Sequence, residues 1–205
     1  MCQFPFPQIV DMTKVLFPLF LILSFVSTAF SQEMIKVERV DFNKTKDDWI
    51  QMEVQLSCDD NTAPDARDSR YVEAIKVKVY LGYIHDASAR QYDYYTSELE
   101  IVIMEKGDDN NVYFYLPGLI AERDQLPTDP EFYYAEISVK GTTQKPQKEA
   151  MSSNIPNLDI LNKFISNATS SSDTEHLLTP IYYAPSEARE RVSKLPTFLR
   201  RDVRQ

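Results

Sequence analysis

Residues 71–83, YVEAIKVKVYLGY, constrain the fold of this chain more than any other stretch. Ile75, Val77, Val79 and Leu81 share one parity, and Lys76 and Lys78 take the other. An extended backbone sends successive side chains to opposite sides, so this segment is a strand with one oily and one wet face. Such a face needs a second layer over it, and the chain supplies several more strands of the same kind.

The pattern begins at residues 34–42, MIKVERVDF, where the apolar parity of Ile35 and Val37 switches to that of Val40 and Phe42. A switch at Arg39 predicts a β-bulge, of the sort that lets one strand serve two sheets. Residues 49–57, WIQMEVQLS, alternate cleanly, with Ile50, Met52, Val54 and Leu56 on one face; Trp49 is expected at the rim of the core. Residues 59–70, DDNTAPDARDSR, form a loop whose carboxylates match no calcium-loop spacing. Residues 92–105 place Leu99, Ile101 and Ile103 inward. The run KGDDNN at 106–111 has the composition of a hairpin turn. The return strand 111–116 turns Val112, Phe114 and Leu116 inward and Tyr113 and Tyr115 outward. Residues 119–126 read as a crossover with one helical turn, 132–140 as another strand, and 149–155 as a weak last strand. About seven antiparallel strands at this spacing predict an all-β sandwich of the immunoglobulin type over residues 32–156, without the Cys–Trp–Cys signature of antibody domains.

Beyond Pro156 the periodicity becomes helical. Leu158, Leu161, Phe164, Ile165 and Ala168 line one face of a helix over 157–168, with Asn157 or Asp159 as N-cap. A Ser-rich linker follows, and then an extended tail within 169–205. Pro180 and Pro185 favour extended backbone around Ile181, Tyr182 and Tyr183; Pro196 precedes Phe198 and Leu199. Anchors of this type fit a segment that docks into a groove or adds to a sheet edge, so these five residues are the candidate partner-binding set.

Residues 1–31 read as a secretory signal peptide: Lys14, an apolar run over 15–26, then Ala29 and Ser31 before the expected cleavage. The run falls short of the roughly 20 residues of a stable membrane helix. The remaining chain keeps one cysteine, Cys58, so an intrachain disulfide is excluded and the apolar core must hold the fold alone. Residues 32–178 carry 27 acidic and 15 basic side chains; residues 179–205 carry 3 and 6. An acidic body argues against nucleic acid or anionic lipid as ligand. Membrane association is expected only through a partner.

No nucleophile elbow, zinc-binding helix motif or glycine-rich phosphate loop occurs. Neither enzymatic activity nor a cofactor nor a metal is expected. The tyrosines offer a second reading, a glycan-binding surface in which Tyr94 and Tyr113 stack on sugar rings.

The leader, IKVERVDF, WIQMEVQL, the strand YVEAIKVKVYLGY and the proline-punctuated tail together resemble small secreted immunoglobulin-like proteins encoded beside bacterial type IV pilus machinery. The resemblance implies an exported accessory or assembly protein, periplasmic or extracellular, with self-association into an oligomer among the expectations. The expected function is a non-enzymatic interaction module whose tail docks to a protein partner or a sister subunit.

Overall fold

In the computed structural model, the period-two segments pair into two antiparallel sheets. The structure describes residues 33–86, 88, 91–171 and 176–199; the expected signal peptide lies outside them. The strands are β1 (Ile35–Lys44), β2 (Ile50–Cys58), β3 (Tyr71–Asp86), β4 (Gln91–Glu105), β5 (Asp109–Leu116), β6 (Phe132–Val139), β7 (Thr142–Thr143), β8 (Thr179–Pro180) and β9 (Phe198–Leu199). Two helices accompany them, α1 (Gly118–Arg123) and α2 (Leu158–Ser170). One sheet has the order β1-β2-β5-β8 and the other β7-β6-β3-β4-β9. The inward residues Ile50, Met52, Val54 and Leu56 of the first sheet meet Ile75, Val77, Val79 and Leu81 of the second in one core.

The run 106–111 is not a hairpin. β5 pairs with β2, not β4, so this turn carries the chain from one sheet to the other. Gly107, at φ 86°, donates its N–H to the Cys58 carbonyl, and Cys58 donates its own to Asp108. These bonds hold the turn against the end of β2. Composition alone marks a tight turn; which sheet receives the return strand depends on the pairing of β2.

The bulge between Val37 and Arg39 is present, but β1 stays paired with β2 from Ile35 to Lys44 and does not change sheets. A second parity change lies in the β3–β4 hairpin. Val72 and Met104 are buried, as are Ile75 and Ile101, while Val102 and Ile103 face outward. Ala74, at φ 53°, makes this change by turning the pleat over, and its carbonyl accepts from Lys140. Ile103 is therefore exposed rather than inward.

In place of the last expected strand at 149–155 there is a 3-10 turn, Lys148–Ala150, and a single bridge between Tyr134 and Met151. The edge of β1 is closed by side chains instead. Gln144 Oε1 accepts from the Met34 and Ile35 N–H groups, and Gln147 Oε1 accepts from Val37. Both amide nitrogens donate to the Ile35 carbonyl. Two buried glutamines thus supply the hydrogen bonds a neighbouring strand would give.

Helix α2 starts at Asn157, whose side chain accepts from the Ile160 N–H, and buries Leu161, Phe164 and Ala168. It lies on the outer face of the β3-containing sheet. Phe164 packs 5.8–6.5 Å from the rings of Phe132, Tyr94 and Tyr80, and Gly82 leaves the room its ring needs.

Candidate interaction surface

The site of interest is where the tail meets the sandwich. β5 alternates, so Tyr113 and Tyr115 point away from the core, and Gln51 and Glu53 stand opposite them on β2. Left open, this outer face would expose two tyrosine rings. The tail covers it. Tyr113, Tyr115, Ile181, Ala184 and Ala188 form a second buried cluster, with Trp49, Tyr182, Val192 and Phe198 packed against it.

Backbone and side-chain bonds fix the tail in place. Ile181 donates to the Tyr113 carbonyl, and Asn111 donates its backbone N–H to Lys194. Gln51 Nε2 donates to Tyr115 Oη at 2.9 Å and to the Glu190 carbonyl at 3.0 Å. The Tyr113 hydroxyl accepts from the Ser193 N–H and from Asn111 Nδ2. Burial raises the Tyr115 phenol to about 12, against the opposing pull of its bond from Gln51, so it stays neutral across the physiological range. Desolvation and the nearby Asp41 also raise the Glu53 carboxyl, while a hydrogen bond from Tyr113 opposes this.

Further along, β9 adds to the edge of β4 through Glu100–Leu199 and Ile101–Phe198 pairing. The tail is thus sewn to the edges of both sheets, by β8 to β5 and by β9 to β4. The groove that receives Ile181 and Phe198 belongs to this chain itself.

This placement changes the expected roles of individual residues. Ile181 is 3% exposed and anchors the tail internally; Tyr182 and Phe198 are half-buried, their rings 6.0 Å apart. Tyr183 and Leu199 face outward, together with Leu195, which was not among the expected set. Tyr113 is fully buried and is not available to stack on a sugar. Tyr94 is half-buried under α2, against Phe164, and its hydroxyl accepts from Asn167. Both tyrosines do point away from the core, as the alternation requires, but the outer faces are covered by parts of the chain far away in sequence.

The remaining candidates disperse. The carboxylates of the 59–70 loop pair with separate cations: Asp60 with Lys106, Asp65 with Lys140 and Asp68 with Arg70. Among the described residues no three His, Cys, Asp or Glu side chains gather as a metal site. His85 meets Asp93 across the hairpin at 3.0 Å. Cys58 is buried; desolvation and the carboxylates of Asp108 and Asp59 push its thiol up to about 11. Among the described residues no helix is long and apolar enough to cross a membrane.

Several clefts open on the described surface. One, of about 700 Å³, lies between Tyr133 on β6, Met151, and Leu158 at the start of α2. Another, of about 510 Å³, runs beside Lys78 of β3 and Thr96, Ser97 and Glu98 of β4, opposite Leu178, Pro180 and Tyr182.

No protein-family model matches the sequence, and no curated protein is similar to it. A crystal structure of a protein from Akkermansia muciniphila is similar in fold, with a TM-score of 0.59 at 13% identity. The match covers 82% of this chain and 94% of that one. At that identity the likeness speaks for the β-sandwich fold alone.

Proposed function

We propose that the chain is an exported, non-enzymatic protein-interaction module with an immunoglobulin-like sandwich, serving as an accessory or assembly component of a type IV pilus or secretion apparatus. The strand order supports the immunoglobulin-like reading: β1-β2-β5 faces β7-β6-β3-β4, which separates consecutive strands between sheets as Greek-key sandwiches do. The signal-like leader and the resemblance of the strand segments to pilus-associated secreted proteins support the export and assembly role.

The observation that carries the interaction role is the outer side of the tail. Its inner residues are used to hold it, so Tyr183, Leu195 and Leu199, at 55%, 46% and 45% exposed, are held outward on a pinned segment. Apolar side chains fixed in this way bind a partner without the entropy loss of ordering a free tail. The test is a Leu195→Ser, Leu199→Ser double variant, compared with the parent by native mass and by co-purification of apparatus components from the producing cell. Loss of assembly mass or of partner recovery is expected. Unchanged mass together with unchanged recovery would overturn the reading.

A further inference from the structure

We draw no further inference here: the strongest candidate, the cleft of about 700 Å³ between Tyr133 on β6, Met151 and the first turn of α2, is lined by apolar side chains with Lys148 and Glu149 of opposite charge beside them, and nothing in the described structure shows what covers it.

Discussion

Ile181 donates its backbone N–H to the carbonyl of Tyr113 at 3.0 Å, although the two residues are 68 positions apart. That bond makes the tail part of the sandwich. Beside it the Ile181 side chain, 3% exposed, fills the space over the two outward tyrosines of β5.

Ile181→Ala is therefore expected to destabilise the chain by about 2–4 kcal/mol, the usual range for emptying a buried aliphatic site. Tyr183→Ala, on the outward side, is expected to change stability by less than about 0.5 kcal/mol. Urea denaturation of both variants checks the contrast. Equal midpoints would mean that the tail does not contribute to the fold.

Gln144 and Gln147 carry the edge of β1 as a missing strand would. Gln147→Ala leaves the Val37 N–H without its 2.7 Å acceptor in a buried setting, a loss of about 1–3 kcal/mol. Amide exchange at Val37 should accelerate far more than at Val54 in the core. If both amides respond alike, the glutamine is not a local substitute for strand pairing.

Gly118, the first residue of α1, lies against the turn Lys46–Asp48. A Cβ at this position would stand 2.0 Å from the Asp47 carbonyl oxygen. Backbone on both sides must move to relieve that contact. Gly118→Ala is thus expected to lower the unfolding midpoint by the equivalent of about 2–4 kcal/mol, despite alanine's better helix propensity. A neutral or stabilising result in thermal unfolding would show that the two segments separate easily.

Alkaline pH should weaken the fold. The Cys58 thiol is raised to about 11, so the unfolded chain, with an ordinary thiol near 8.5, releases its proton first. The native state then holds more protons than the unfolded one, and stability falls as pH rises from about 8.5 to 11. Burial raises the phenols of Tyr80, Tyr83, Tyr95 and Tyr134 as well, which extends the fall to higher pH. Cys58→Ala should flatten the early part of that decline in urea midpoints measured at pH 8 and 10. Native Cys58 should also react with a thiol reagent at least a hundredfold more slowly than in denaturant.

The inward faces were legible in the sequence because period-two alternation is a local signal. Met52 and Val54 on β2, and Val77 and Val79 on β3, are buried where their parity places them. Local signals fail where a remote segment decides the environment. Tyr113 reads as an exposed ring, yet lies under Ile181 and Ala188. Gln144 and Gln147 lie in the polar run GTTQKPQK at 141–148, where nothing in the local sequence marks them as edge-closing groups. Ile103 follows the alternation of Ile101 until a backbone inversion at Ala74, on the paired strand, reverses it.

By itself the sequence determined that this chain is built of amphipathic strands packed in two layers, followed by one amphipathic helix and a tail with apolar anchors. Each of these follows from side-chain order along a short stretch of backbone. Only the tertiary structure decided that the two outer faces are occupied, one by α2 and the other by the tail. The physical reason is that a strand's outer parity is polar enough to face water and apolar enough to be covered. Which of the two occurs depends on segments tens of residues away finding that face.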